Sequence, residues 1–187
     1  MGKTNMQAID ILKQGGVVAY PTESCFGLGC DPHNTKALEK ILTLKKRIKD
    51  KGLILIAANI EQAQAYVDFS ELSLINEIKQ SWPGPNTWLL PPLESLPVEV
   101  KNYICGTFPL LAVRVTAHPV ANELCLNYGG AIVSTSANLA GQSAATTTQQ
   151  VRDAFGNKVD YIVDDVIGQD TKPSTIRDGL TGQILRA

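Results

Sequence analysis

Five short apolar runs, separated by segments with helical periodicity, are the feature that most restricts the fold of this chain. Each run has the length of a buried strand and is bounded by turn-forming or polar residues. The runs cover residues 17–20, 53–56, 110–115, 131–133 and 161–163. The helical patterns lie near residues 4–14, 35–45, 71–81, 118–127 and 147–155. This alternation predicts an α/β sheet, for which residues 184–185 suit a closing edge strand.

A chain of 187 residues is long enough for one sizeable core and short for two independent domains. We therefore expect one α/β domain over residues 4–187, with no additional C-terminal domain. The longest apolar runs are shorter than a membrane span, so we expect no membrane partner and a cytoplasmic location.

The cysteine pattern argues against a structural metal site. The four cysteines form no C-x-x-C pair, and the chain has only two histidines. These residues are Cys25, Cys30, Cys105, Cys125, His33 and His118. We expect free thiols and no metal bound by the protein.

A local concentration of positive charge stands out because the net charge of the chain is only −1. A helix that Thr35 can cap runs directly into five basic residues within seven positions. These are Lys45, Lys46, Arg47, Lys49 and Lys51. Such a cluster can be a solvated face or can complement the C-terminus of a helix. Gly52 and the strand after it bring the cluster near the sheet edge, where it could hold a triphosphate.

Two polar segments follow predicted strands. Residues 20–24 (Tyr-Pro-Thr-Glu-Ser) open a predicted loop over residues 21–32, and they suit either a turn or a ligand site. Residues 134–138 (Ser-Thr-Ser-Ala-Asn) place four polar side chains in five positions, which is more than a capped turn requires. The segment 82–87, in contrast, is interpreted as a rigid structural turn.

Arg114 lies within the apolar run 110–115, and a buried arginine is rarely left without a partner. Its partner could be an internal Asp or Glu, or a substrate carboxylate held by two parallel hydrogen bonds. The pattern alone does not choose between them.

Taken in order, these segments resemble the YrdC family over essentially the whole chain, and most of all its short bacterial members. The matching motifs are GGVVAYPTE, LKKR, WPGPxT, AVRV, STSANLAG and PSTIRD. Many relatives have two prolines in and after the Lys-Arg segment, where this chain has Ile48 and Gly52. They also have a histidine shortly after it, where this chain has only Leu55 or Ile56. Thr116 replaces a proline that is common after the VRV run.

The resemblance implies a single YrdC-like domain, with an open twisted mixed sheet, flanking helices and a concave basic cleft. It implies synthesis of threonylcarbamoyl-AMP from L-threonine, bicarbonate and ATP, with Mg²⁺ on the nucleotide. The residues carried over to catalysis are Lys45, Arg47, Ser136 and Asn138. The same four, with Lys49 and Arg186, are carried over to ATP binding. Those carried over to threonine binding are Thr22, Arg114, Ser134 and Ser174.

The resemblance also implies partners and alternatives. The product would serve a downstream tRNA threonylcarbamoyl transferase complex, and the chain itself would bind tRNA weakly. One alternative is a non-catalytic RNA-binding or ribosome-maturation factor on the same fold, although the near-neutral charge disfavours it. A second alternative is a carbamoyl-adenylate enzyme like the YrdC-like domain of hydrogenase-maturation proteins, which carry cysteine pairs that this chain lacks.

Overall fold

The computed structural model describes residues 3–170 and 172–187, and within them the chain forms nine strands and seven α-helices. The strands are β1 (Val18–Pro21), β2 (Phe26–Gly29), β3 (Ile54–Ala57), β4 (Asn86–Leu90), β5 (Leu111–Val115), β6 (Ile132–Ser136), β7 (Tyr161–Ile162), β8 (Thr175–Asp178) and β9 (Ile184–Arg186). The helices are α1 (Lys3–Lys13), α2 (Thr35–Lys45), α3 (Ile60–Gln64), α4 (Ile75–Ser81), α5 (Val98–Ile104), α6 (Pro119–Tyr128) and α7 (Thr148–Phe155). Short 3₁₀ turns follow α2 and α7, at Lys49–Lys51 and Gly156–Lys158.

The strands form one open mixed sheet in the order β7-β1-β2-β6-β3-β5-β4-β8-β9. Strand β1 is parallel to β7, β3 is parallel to β5, and β4 is parallel to β8. The remaining neighbours are antiparallel. The expected mixed α/β sheet is therefore confirmed.

Alternation along the strands divides the core into two apolar layers. In β1, Val18 and Tyr20 pack on the same face as α1 and α6, whereas Ala19 packs on the opposite face. The opposite face carries the larger core, to which helices α2, α3, α4, α5 and α7 all contribute buried residues. Because α1 and α6 cover only part of their face, the rest of that face is free to carry a site.

Several local predictions were wrong. The predicted loop 21–32 contains strand β2, and this strand was missed because two of its four residues, in the sequence Phe-Gly-Leu-Gly, are glycines. A Cβ atom on Gly29 would lie 2.7 Å from the Val133 carbonyl oxygen, so the close approach of these strands requires glycine. Helix α2 is capped by Asn34 and not by Thr35, since the Asn34 side chain accepts a hydrogen bond from the Ala37 amide at 3.0 Å.

Two strands extend into segments that were predicted as turns or loops, and several helices and strands were not predicted at all. The structural turn at 82–87 gives way to β4 at Asn86, and the polar segment 134–138 is partly strand, since β6 continues to Ser136. Helices α3 and α5 and strands β4 and β8 were not predicted. The edge strand at 184–185 is confirmed as β9. Among the described residues, no helix is both long and apolar enough to span a membrane.

Candidate active site

A cavity of about 930 Å³ lies on the sheet face that carries α1 and α6, beyond the part that these helices cover. Its floor consists of side chains at alternating positions on neighbouring strands. These are Ile54 and Ile56 on β3, Thr87 and Leu89 on β4, Ala112 and Arg114 on β5, Ser134 and Ser136 on β6, and Ile176 on β8. Alternation thus explains why side chains of five strands meet at one place, with the polar and charged ones coming from β4, β5 and β6.

The cavity has a strong excess of positive charge. Five of the residues that line it are cationic, and none of the described lining residues is acidic. The five are Arg47, Lys51, Arg114, Lys172 and Arg186. Since the whole chain has a net charge of −1, this concentration is local and suits an anionic ligand.

Most of the residues expected to bind ligand meet at this cavity, although they come from distant parts of the sequence. Eight of the ten line it: Thr22, Arg47, Arg114, Ser134, Ser136, Asn138, Ser174 and Arg186. Lys45 and Lys49 are not among the lining residues.

Lys45 is the last residue of α2 and is buried behind the cavity wall. Only 4% of the surface of the whole residue is exposed to solvent. Its ammonium donates hydrogen bonds to the Ser136 carbonyl, to the Asn138 carbonyl at 3.1 Å and to Asn138 Oδ1 at 3.0 Å. Burial, with a smaller contribution from the nearby Arg47 charge, lowers the pKa of Lys45 to about 8. Lys45 therefore supports the turn after β6 from inside the protein.

Ser136 and Asn138 form the ligand-facing side of this turn. Ser136 Oγ donates to Asn138 Oδ1 at 2.6 Å, and Asn138 Nδ2 donates to the Gln142 carbonyl at 2.7 Å. The side chains of Lys45, Ser136 and Asn138 thus form one connected network, which fixes the hydroxyl and the amide at the cavity wall.

Arg47 and Lys49 point in different directions from the basic segment. Arg47 lines the cavity, and its Nη2 donates to the carbonyls of Lys51 and Gly52, each at 3.1 Å. Its Nε is buried without a partner among the described residues, and burial lowers the pKa of Arg47. Lys49 instead places its ammonium 3.5 Å from the centre of the Tyr103 ring.

Arg114 has an internal partner and also faces the cavity. Its Nη1 donates to Glu23 Oε2 at 2.8 Å, and both side chains are about nine-tenths buried. Glu23 Oε1 accepts hydrogen bonds from Thr116 Oγ1 at 2.8 Å and from the Ala117 amide at 3.1 Å. A proline at position 116 would have no hydroxyl and could not donate this hydrogen bond to Glu23. Burial alone would raise the pKa of Glu23, but the Arg114 charge and these hydrogen bonds outweigh it, so the pKa lies below its ordinary value.

Thr22 presents lone pairs to the cavity. Its Oγ1 donates its one proton to the Cys25 carbonyl at 2.7 Å, inside the turn that joins β1 to β2. Because that proton is committed, the hydroxyl can act toward a ligand only as an acceptor, as an ammonium group would require.

Ser174, just before β8, is hydrogen-bonded to the strands on both sides of β8. Its hydroxyl lies 2.8 Å from Thr87 Oγ1 on β4, and its carbonyl accepts from Arg186 Nη2 on β9 at 2.7 Å. Arg186 is therefore held at the cavity wall by this hydrogen bond and by the pairing of β8 with β9.

Four further residues contribute to the cavity or its support but were not predicted as site residues: Glu23, Lys51, Thr87 and Lys172. Lys51 belongs to the basic segment, and Glu23 to the polar segment after β1, so a signal existed for both. Thr87 ends the WPGPxT motif, which was interpreted as structural, and Lys172 directly precedes the PSTIRD motif without belonging to it.

Side chains that commonly bind metals are not clustered in the part of the chain that the structure describes. No group of three or more His, Cys, Asp or Glu side chains in residues 3–170 and 172–187 is placed to hold an ion. The four cysteines are free thiols, as expected.

Comparison with known proteins identifies relatives over nearly the whole chain. Residues 10–187 match the family model Sua5_yciO_yrdC, described as "Telomere recombination". A threonylcarbamoyl-AMP synthase of Nitrosococcus oceani is 51% identical over 179 residues, which are 96% of this chain and 95% of the relative. A threonylcarbamoyl-AMP synthase of Vibrio vulnificus is 46% identical over 182 residues, 96% of each chain.

A solved structure of P. abyssi Sua5 complexed with L-threonine is similar in fold. It superposes with a TM-score of 0.85 at 31% identity over 94% of this chain. The chain described here spans half of that Sua5 chain, at 50% of its length.

Proposed function

The chain belongs to the Sua5/YciO/YrdC family, and from this we infer that it is a threonylcarbamoyl-AMP synthase, a nucleotidyltransferase that acts in tRNA modification. The reaction joins L-threonine, bicarbonate and ATP into threonylcarbamoyl-AMP and pyrophosphate. The observation that carries this inference is the cavity with five cations and no carboxylate among its described lining residues. Its volume of about 930 Å³ suits a nucleotide and a small amino acid together.

We propose that threonine binds at the Arg114 end of the cavity. The Nη1 atom of Arg114 is engaged by Glu23, which leaves the other guanidinium nitrogens for the substrate carboxylate. The lone pairs of Thr22 accept from the substrate amine, while Ser134 and Ser174 supply further hydroxyls around it. The L-threonine in the related Sua5 structure supports a threonine site in this fold.

The triphosphate of ATP is proposed to lie along the remaining cations. Arg47 and Arg186 line the cavity, and so do Ser136 and Asn138, whose side chains are hydrogen-bonded to each other. Lys45 holds that turn in place, and Lys49 remains a candidate for longer-range attraction of the phosphates. Backbone and side-chain donors of this kind stabilise charge that develops on phosphate oxygens.

The chemistry needs no protein nucleophile. The threonine amine adds to carbon dioxide and loses a proton, or it condenses with bicarbonate and water is released. Either route gives a carbamate, whose oxygen then attacks the α-phosphorus of ATP. The bond between the α-phosphorus and the bridging oxygen breaks, and pyrophosphate leaves with that electron pair. Positioning and charge stabilisation supply most of the acceleration in such transfers.

Mg²⁺ is proposed to enter with the nucleotide. Hard cations prefer oxygen ligands, but no carboxylate is found among the described residues of the cavity wall, so the phosphates themselves would hold the ion. Its charge would offset that of the leaving pyrophosphate. The residues of this chain then bind and orient the phosphates around it.

We propose that residues 4–187 act as one catalytic domain in the cytoplasm and that the product passes to a separate tRNA threonylcarbamoyl transferase complex. Weak tRNA binding would assist that transfer. The alternative of an RNA-binding factor without catalysis is disfavoured by the net charge of −1.

The decisive experiment is mass spectrometry of the purified chain after incubation with ATP, Mg²⁺, bicarbonate and L-threonine. We expect threonylcarbamoyl-AMP and one pyrophosphate per adenylate, and neither when threonine is omitted. Salt-sensitive RNA binding with no adenylate formed would instead support the non-catalytic alternative.

A further inference from the structure

The five cations of the cavity are not equivalent, because only one of them is neutralised. Arg114 is paired with Glu23 at 2.8 Å. Within residues 3–170 and 172–187, none of the other four has a carboxylate within ion-pair distance; these four are Arg47, Lys51, Lys172 and Arg186. Arg114 thus adds little net charge to the cavity, whereas the other four cations add theirs in full.

The two proposed ligands differ in the same way. ATP and pyrophosphate are polyanions, whereas threonine near neutral pH is a zwitterion with no net charge. A polyanion gains much less from a neutralised arginine than from a free one. A zwitterion is matched by the pair, since its carboxylate can meet Arg114 and its ammonium benefits from the negative charge of Glu23 behind it.

We propose that Glu23 is a specificity-determining residue that divides the cavity electrostatically. It reserves the Arg114 end for a zwitterionic amino acid and leaves the four unpaired cations to the phosphates. Without this division, ATP or pyrophosphate could occupy the threonine site and block the reaction. The proposal rests on the proposed function, because it takes threonine and ATP as the ligands.

Hydrogen bonds to the side chain and the backbone of Glu23 hold its carboxylate in a fixed position. Its carboxylate accepts from Thr116 and Ala117 in addition to Arg114. Its carbonyl accepts from the Asp170 amide at 3.1 Å, and the neighbouring Thr22 carbonyl accepts from Gly168 at 2.9 Å. A Cβ atom at Gly168 would lie 2.6 Å from the Glu23 carbonyl oxygen, so the segment behind Glu23 packs as closely as glycine allows. A carboxylate held from so many sides cannot swing into the cavity and compete with the substrate.

A purely positional role for Glu23 is the rival interpretation. Glu23→Gln retains the shape of the side chain but removes its charge, whereas Glu23→Asp retains the charge and shortens the reach. If Glu23 only positions Arg114, both variants lose threonine affinity and neither gains affinity for pyrophosphate. If Glu23 sets specificity by charge, only Glu23→Gln gains a second pyrophosphate site.

The first measurement uses the wild-type chain. Calorimetric titration with inorganic pyrophosphate should show one site, and saturating pyrophosphate should leave the affinity for L-threonine unchanged within about twofold. Displacement of threonine by pyrophosphate in the wild-type chain would overturn the proposal. This arm is independent of whether any variant folds.

The second measurement uses the two variants, after thermal unfolding has shown that they are folded. Glu23→Gln should bind threonine at least about tenfold more weakly, and pyrophosphate should now compete with it. Glu23→Asp should show no such competition. Equal behaviour of the two variants would overturn the proposal, and an unfolded Glu23→Gln would leave the wild-type titration to decide. Failure of the proposed function is distinct, since it would appear as a wild-type chain that forms no threonylcarbamoyl-AMP.

Discussion

The ammonium of Lys45 lies 3.0 Å from Oδ1 of Asn138, so the end of α2 and the turn after β6 are held together by a buried charge. A lysine at the start of a basic segment has the pattern of an exposed phosphate ligand, yet this one is enclosed. Its removal should therefore affect the fold as well as the ligand.

For Lys45→Ala we expect a free energy of unfolding lower by about 1–3 kcal/mol, because Asn138 Oδ1 and two carbonyls would lose their donor. Urea denaturation of both proteins measures the difference. Lys36→Ala is a suitable control, since Lys36 is exposed on the same helix, and its effect should stay within about 0.5 kcal/mol. An unchanged midpoint for Lys45→Ala would show that the network contributes nothing.

Alanine substitutions of Arg47 and Lys49 should differ in their effect on the reaction rate. Arg47→Ala removes a guanidinium from the cavity wall and should lower the rate of pyrophosphate release by about 10²-fold. Lys49→Ala removes a charge that lies over Tyr103, and its rate should stay within about threefold of wild type. A continuous pyrophosphate assay at saturating substrates gives both values. Equal losses would mean that Lys49 also reaches the nucleotide.

The two ends of the cavity should respond separately to substitution. Arg114→Lys keeps the charge but loses the planar fork, so affinity for L-threonine should fall about tenfold while affinity for ATP changes little. Ser136→Ala should do the reverse and weaken ATP by roughly threefold to tenfold. Separate calorimetric titrations with each ligand test this, and a variant that weakens both ligands equally would contradict the assignment.

Binding of ATP should weaken as the pH rises through about 8, the pKa of Lys45 in the free protein. A nearby polyanion favours the charged ammonium and raises its pKa in the complex, so the complex binds more protons than the free protein above that pH. Calorimetry in two buffers with different ionisation enthalpies should show proton uptake near pH 8.5. The uptake should disappear in Lys45→Met, and uptake of the same size in that variant would assign the proton elsewhere.

The chain should form its adenylate without tRNA but should not modify tRNA alone. Transfer to a nucleoside requires aromatic side chains that stack on the base and a broad basic surface for the RNA, whereas this chain has 6% aromatic residues and a net charge of −1. Nucleoside digestion of tRNA incubated with the chain and all small substrates tests this. Modified nucleoside in that digest would contradict the proposed division between two proteins.

Strands with continuous apolar runs could be predicted from the sequence, as at 17–20 and 110–115, because burial on both faces leaves a clear signal. Strand β2 could not, since glycines at 27 and 29 suggest a loop unless the close approach of Tyr20 and Val133 is known. The signal for that strand lies in its neighbours and not in its own residues.

Most residues of the site could be predicted from the sequence, but their contacts and their burial could not. The partner of Arg114 is 91 residues away, so only the fold decides between an internal carboxylate and a ligand, and Glu23 proves to be an internal one. Burial of Lys45 is equally invisible in the sequence, because a lysine at the end of a helix is usually solvated.

The alternating floor of the cavity makes catalysis depend on strand register. Arg114 faces the cavity because it pairs with Ile56 across β3 and β5, while its neighbours Val113 and Val115 face the larger apolar core. A slip of one residue in this pairing would bury the guanidinium in that core and line the cavity with valine. A chain with the wrong register would thus lose both the arginine of its cavity and the packing of its core. Threonine binding through Arg114 therefore requires the native register of β3 and β5.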